Sequence, residues 1–468
     1  MTLQYKIKKL YQEILESLRS EDHDYTQGNL KKAVFLLSIP MVLEMLMESI
    51  FAIADIYFVS KLGADAIATV GLTESVITII YALAVGLSAA TSAMVSRRVG
   101  EKKYAKASES AYQAILTGAI ISILMAIPGV LFAKDILRFM NASEIIVEQF
   151  WSYTAIMFGS NIIIMLLFIN NAVFRSAGNP ALSMRVLWFA NLINIVLDPL
   201  LIFGWGPIPA MGIKGAAIAT TTGRGLAVIY QYYLLQKGKG RIRLNSIPNY
   251  KPQFALIRKL LRLSTGSISQ YIVATSSWII LMRFVAVYGS EVLAGYTISI
   301  RIIIFALLPA WGISNAASTL VGQNLGAKNP LRAQQSAWLA GKVNMILMSI
   351  VTIGLFFWPR TFLGLLSEEI PIIGFGAISL KIISLGLIIY GLGMVMVNAL
   401  NGAGDTQTPF RINLVSFWLI EIPLAWLLSN KTDLAQQGVF WAIIIAEAIM
   451  TGIVLYFFQK GKWKLMEV

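Results

Sequence analysis

The 468-residue sequence has no cysteine and a single histidine, His23, which lies in a polar N-terminal stretch. Disulfide scaffolds, thiolate metal centres, His-rich metal sites and buried histidine proton relays are thereby excluded. Charge is scarce as well: Asp, Glu, Lys and Arg make up 13% of the chain, about half of the roughly 25% usual in soluble domains. No Gly-rich loop ends in Lys-Ser or Lys-Thr, so direct ATP drive is excluded. No catalytic constellation is present either, and the chain is read as a cofactor-free protein that is not an enzyme. What is abundant is apolar, at 57% hydrophobic residues. A bilayer-spanning helix takes about 20–25 residues, so twelve use about 240–300 and leave short loops and two tails. That leaves no room for a large soluble domain.

Twelve apolar segments follow one another at 33–59, 68–95, 110–133, 149–173, 182–205, 213–236, 263–288, 293–320, 336–358, 374–400, 408–429 and 437–458. The net charge of +14 suggests a nucleic-acid partner at first sight, but the basic residues lie between the apolar runs. With the N-terminus in the cytoplasm, inside segments hold 25 Lys and Arg against six outside: Lys61, Lys134, Arg138, Lys214, Arg360 and Lys431. The positive-inside rule therefore puts both termini in the cytoplasm. It makes the chain a multi-pass protein of the plasma (inner) membrane that meets lipids and not nucleic acid. Before the first segment, Leu3, Ile7, Leu10, Ile14 and Leu18 recur at helical spacing. They outline an amphipathic surface helix, with a partly ordered tail as the alternative.

Sliding the chain on itself by 226 residues brings Leu37-Ser38 onto Leu263-Ser264, Gly63 onto Gly289, Gly86 onto Gly312 and Gly100 onto Gly326. Lys102 meets Lys328, Ala177-Gly178 meets Ala403-Gly404 and Arg185 meets Arg411. Six spans per copy is an even number, so the copies are parallel repeats about an axis along the membrane normal. The expected fold is an all-α membrane protein of twelve transmembrane helices, two parallel six-helix repeats forming two lobes around a central cavity. The expected parts are a tail (1–32), a first lobe (33–236), a basic cytoplasmic linker (237–258), a second lobe (259–460) and a C-terminal tail (461–468).

Ionisable groups at membrane depth are costly and need a partner, a wet cavity or a task. Glu44, Glu48 and Asp55 fall within roughly 40° of one another on the first span, forming one acidic stripe. Asn191, Asn194 and Asp198 share a face of the fifth span, and the sixth brings Thr220, Thr221 and Thr222. Carboxylates, amides and hydroxyls together suit a hard monovalent cation or a carboxylate pair sharing a proton. A hydrogen-bonded cluster that merely joins helices is the competing reading. Glu44 and Glu48 either line the cavity, together with Asn191 and Gln270, or pair with arginines. Arg224 is read as snorkelling to the cytoplasmic face, with pairing to a carboxylate of the first or fifth span as the alternative. Shifted by 226, Asp55, Asn194 and Asp198 become Leu281, Ile420 and Leu424, so the cluster belongs to one lobe.

Several strings resemble the multidrug and toxic compound extrusion (MATE) family: IFAIADIYFVSKLGADAIA (50–68), VSRRVGEKKYAKASESA (95–111), FRSAGNP (174–180), VGQNLGAKNPLRAQQSA (321–337) and LNGAGDTQTP (400–409). The similarity covers the chain from about residue 30. It implies efflux of organic, mostly cationic amphiphiles in exchange for H⁺ or Na⁺. It also implies that Asp55, Asn194, Asp198 and Thr220 form the coupling site, with Asp55 and Asp198 as Na⁺ ligands if sodium is the ion. Ala274 and Tyr390 stand where one branch of the family carries acidic residues, so no second-lobe sodium site of that kind is implied. The small-molecule pump is expected to act as a monomer. A flippase for lipid-linked precursors and an exporter of an endogenous metabolite are the alternatives.

Overall fold

The computed structural model describes residues 3–19, 21, 23–238, 240–247 and 250–468, without the side chains of residues 3–7, 9 and 10. Leu3, Ile7 and Leu10 of the expected tail stripe thus lie outside the described side chains, as do Lys239, Pro248 and Asn249 of the expected linker. Among the described residues the chain is helical apart from loops and one isolated bridge, Trp205 with Ile208. A tail helix, α1 (Leu3–Ser17), precedes the first lobe. That lobe consists of α2 (Leu30–Ser60), α3 (Ala64–Gly100), α4 (Tyr104–Leu131) with the short α5 (Ala133–Phe139), α6 (Glu144–Gly159) continued by α7 (Asn161–Ala177), α8 (Pro180–Phe203) and α9 (Ile213–Lys237). The second lobe repeats the order: α10 (Phe254–Ala286), α11 (Ser290–Gly326), α12 (Pro330–Phe357) with α13 (Pro359–Gly364), α14 (Ile370–Ala403), then α15 (Gln407–Asn413) running through π-helical turns (Leu414–Glu421) into α16 (Ile422–Asn430), and α17 (Gln436–Lys460). Eleven of these spans are long and apolar enough to cross a membrane. The twelfth, α9, has the length but carries Lys214, three threonines, Arg224 and Gln231.

The helices overrun the apolar segments. α3 and α11 each hold 37 residues, because backbone hydrogen bonding continues past the hydrocarbon until turn chemistry stops it. The stops coincide in the two lobes: Lys102 and Lys328 both adopt left-handed backbone, at φ 59° and 57°. The stretch expected as a linker is docked and not free. Ile242, Leu244 and Ile247 are buried, and the Gln113 side chain of α4 donates to Lys251 O (3.0 Å) and accepts from Gln253 N (3.1 Å).

Each lobe packs its own core, and the lobes meet where α3 lies against α10 and α11, and α2 against α11. At the face that carries both chain ends the approach is reciprocal. Gly100 lies on the Gln323 carbonyl and Gly326 on the Arg97 carbonyl, with no room for a Cβ at either. Gln323 donates across this seam to Ser176 O (2.9 Å). Arg97 donates to Ala403 O (3.3 Å) and to Met466 O (2.7 Å). The seam therefore closes the space between the lobes on this side.

Two features break the repeat. In the first lobe the fourth span is interrupted at Ser160, between α6 and α7, whereas α14 runs unbroken. In the second lobe the π-helical turns insert one residue into the fifth span. The buried face of α8, Asn191, Asn194, Asp198 and Ile202, is matched by Phe417, Glu421, Ala425 and Ser429. The contact of Gly215 on Leu201 is likewise repeated by Gly438 on Leu428. The constant shift of 226 therefore fails beyond residue 417, and the counterparts of Asn194 and Asp198 are Glu421 and Ala425, not Ile420 and Leu424.

Candidate functional site

The acidic stripe of α2 faces α7, α8 and α9, with Glu48 one turn and Asp55 about three turns beyond Glu44. Nearest the closed face, Glu44 is fully buried and accepts from Arg175 Nη1 (2.9 Å) and the Ser183 hydroxyl (3.0 Å). Arg175 was expected among loop charges; it sits instead on the last turn of α7, buried, where the α2 carboxylate holds it. One turn on, Glu48 accepts from Arg224 Nη2 (2.7 Å) and the Asn191 amide (3.0 Å). Arg224 therefore does not snorkel. It is buried, contacts the Tyr81 hydroxyl (3.4 Å) and lies 4.9 Å over the Phe51 ring. Pairing with arginine and a place in the cavity wall hold together, since all four residues line it, Glu48 partly exposed and Glu44 buried.

Two turns beyond Glu48, Asp55 is brought towards α8 and α9. Asn194 and Asp198 are fully buried there. The Asn194 amide donates to Asp198 (2.9 Å), and its oxygen accepts from the Thr220 backbone N–H (2.9 Å) and hydroxyl (3.1 Å). Asp198 Oδ1 is buried without a hydrogen-bond partner among the described residues. Asp55 carries no hydrogen bond among the described residues, and its charge acts on both Asp198 and Arg224. Next to the cluster, Thr221 of α9 donates to the hydroxyl of Ser160 (3.1 Å), where α6 breaks from α7. The four residues expected to share one site lie together among helices of the first lobe, Asn194 and Asp198 fully buried and Asp55 and Thr220 partly so. Two carboxylates, an amide oxygen and a threonine hydroxyl form a hard oxygen set suited to a proton or an alkali cation. No group of three or more His, Cys, Asp or Glu stands close enough to hold a metal ion among the described residues.

The central cavity, of about 350 Å³, lies between the lobes beside this cluster. Glu44, Glu48, Arg175 and Arg224 line its first-lobe wall. Gln270, Tyr271, Trp311, Asn315, Tyr390 and Asn401 contribute to the opposite wall. Gln270, expected here, donates to Asn401 Oδ1 (3.1 Å) and to Thr406 O (3.0 Å). Asn191, also expected to line the cavity, is fully buried behind Glu48 and does not reach it. A wall expected to be acidic is charge-balanced, with two carboxylates against two guanidiniums. Two further buried carboxylates stand in the second lobe: Glu421 accepts from the Ser277 hydroxyl, and Glu447 Oε2 has no partner among the described residues. Arg175, Ser183 and Tyr81 are the residues of the site that sequence reasoning did not place, whereas Arg224 takes its alternative reading, pairing with a first-span carboxylate. Their signal was present only for the arginines, as cations at the edge of or inside apolar runs.

The geometry agrees with comparisons to known proteins. A probable multidrug resistance protein NorM of Thermotoga maritima is 26% identical over 444 residues, covering 93% of each chain. An FAD transporter of Shewanella oneidensis is 25% identical over 438 residues, covering 94% of this chain and 96% of its own. Among solved structures, the outward-facing conformation of a multidrug resistance MATE family transporter superposes with a TM-score of 0.88 at 23% identity. That match covers 94% of this chain and 98% of the other and bears on the fold alone. The MatE family model matches twice, over residues 40–200 and 267–427, once in each lobe. The chain belongs to the MatE family, whose members are membrane transporters and not enzymes.

Proposed function

We propose that this transporter is a secondary antiporter that exports amphiphilic, mostly cationic organic compounds in exchange for H⁺ or Na⁺ by alternating access. The observation that carries the reading is the Asp55–Asn194–Asp198–Thr220 cluster beside a cavity between two lobes, with Asn194 and Asp198 fully buried and Asp198 Oδ1 without a hydrogen-bond partner among the described residues. That buried carboxylate oxygen offers an acceptor to a cation. With the basic face in the cytoplasm, the seam at Gly100 and Gly326 makes the conformation closed to the inside. An ion arriving from outside neutralises the cluster, weakens substrate binding and lets the lobes reset. Differential affinity of ion and substrate for the two states is the coupling. The protein acts as a monomer in the plasma membrane.

The test is ethidium efflux from cells lacking other pumps, followed by purified protein in vesicles given Na⁺ and pH gradients separately. Asp198→Asn and Asp55→Asn are expected to reduce gradient-driven efflux to background at equal expression. Wild-type efflux by both variants would refute the assignment. A second reading, export of an endogenous metabolite, is favoured by one observation, the charge balance of the cavity wall. The name printed for the Shewanella relative is in keeping with it.

A further inference from the structure

Glu48, Phe51 and Asp55 occupy successive turns of one α2 face, spaced by three and four residues. The Arg224 guanidinium lies over the middle member, 4.9 Å from the Phe51 ring, and reaches down to Glu48. On α9, Thr220 stands one turn from Arg224, so the same helix faces the ion cluster with one residue and the cavity with the other. On α8, Asn191 meets Glu48 while Asn194 meets Asp198 and Thr220. The cavity layer and the ion layer are thus adjacent turns of α8 and α9 and stand two turns apart on α2, with Phe51 between them, and Arg224 is the cation between the layers.

We propose that Arg224 is the positioning residue that couples the two layers, by dividing its charge between Glu48 in the cavity and Asp55 in the ion cluster. The proposal rests on the antiport reading above and specifies its linkage. Glu48 is the carboxylate a cationic substrate meets, since its side chain is 30% exposed whereas that of Glu44 is 0% exposed. Arg224 covering Glu48, as observed, is the arrangement the proposal assigns to the ion-loaded, substrate-releasing state. When Asp55 and Asp198 are both unneutralised, their field draws the guanidinium along the Phe51 face, a move of about one helical turn or 5.4 Å. Glu48 is then uncovered for the substrate. The Arg224 Nε, buried and without a hydrogen-bond partner, marks a side chain whose present bonds do not exhaust it. Phe51 offers a polarisable surface to a guanidinium in either position. The other groups that face Arg224 are Tyr81 and, within electrostatic reach, Glu74, both on α3. Neither lies on the α2 line between the two carboxylates.

The experiment is equilibrium binding of ethidium to the full-length protein in detergent, at low and high Na⁺ and, separately, at two pH values. In the wild type the coupling ion is expected to weaken ethidium binding by about 5- to 150-fold, the range of ordinary site–site coupling. In Arg224→Gln, and in the charge-neutral double variant Glu48→Gln/Arg224→Gln, that ion effect is expected to fall below about twofold. Arg224→Lys, which keeps the charge, should restore part of it. The double variant guards against a fold lost to an unpaired Glu48. An ion effect of wild-type size in either Gln variant overturns the coupling role and leaves the antiporter standing. A wild type that binds no ethidium, or binds it without regard to either ion, overturns the antiporter reading and this proposal together.

Discussion

The two lobes tie their first and fourth spans together at equivalent positions with different chemistry. In the first lobe Glu44 and Arg175 form a buried ion pair at 2.9 Å. At the matching positions of the second, 226 residues on, Gln270 and Asn401 exchange amide hydrogen bonds of 3.1 and 3.2 Å. The tie is a demand of the bundle, because both lobes have it. The charge is not, because a neutral pair does the same structural work. The same subtraction separates Asp55 from Leu281, Asp198 from Ala425 and Thr220 from its apolar counterpart region on α17. What remains in the first lobe after removing what the second also has is Asp55, Asp198, Thr220 and the arginine link; at the Asn194 position the second lobe carries a buried carboxylate of its own, Glu421.

The comparison breaks most readily at the ties themselves. Arg175→Ala leaves Glu44 buried and unpaired, which is expected to destabilise the protein by about 3–5 kcal/mol. Asn401→Ala leaves one amide short of a partner, at about 1–3 kcal/mol. Thermal unfolding in detergent measures both, and equal losses would show that the charge is structural after all. A sharper form rewrites the first tie in the chemistry of the second. The double variant Glu44→Gln/Arg175→Asn is expected to lie within about 1–2 kcal/mol of wild type, since no charge is left uncompensated. A loss as large as that of Arg175→Ala would mean that the lobes do not share one tie.

The smallest effect concerns Glu101, which caps α3 at the closed face where the second lobe has Ala327. Burial pushes its carboxyl up, but hydrogen bonds from Lys103 and Arg98 outweigh that and hold it below the ordinary value of 4.5. Its side chain is partly exposed, so the pairs contribute at most about 1 kcal/mol. A lowered folded value means the contribution is present above the ordinary carboxylate range and disappears as pH falls through the folded value. Wild type and Glu101→Gln should therefore differ slightly in melting temperature at pH 7 and converge in acid. A difference that grows on acidification would refute the assignment.

The repeat was legible because turn chemistry recurs with it: Gly100 and Gly326, Lys102 and Lys328, Gly178 and Gly404 stand at stops that both lobes need. The ion cluster was legible because Asn194 and Asp198 sit one helical turn apart among apolar neighbours, where nothing but a neighbour or a ligand accounts for them. The partners of the carboxylates were not. Arg175 and Arg224 lie 131 and 176 residues from Glu44 and Glu48, and periodicity along one helix carries no information about which face another presents. The docked linker was hidden for a related reason: a basic, proline-containing stretch looks solvated until its few apolar residues are seen to be buried. The one-residue slip at 414–421 escaped because an apolar run reads the same whether it winds as an α- or a π-helix.

That wide turn has a practical side for anyone who would symmetrise the halves or graft a segment of one into the other. Copying residues at constant spacing would rotate every side chain beyond position 417 by about 100°, carrying Glu421 off the packed surface and an isoleucine into its place. Excising one residue from the wide turn, and not exchanging any, is the edit that would make the two halves interchangeable there.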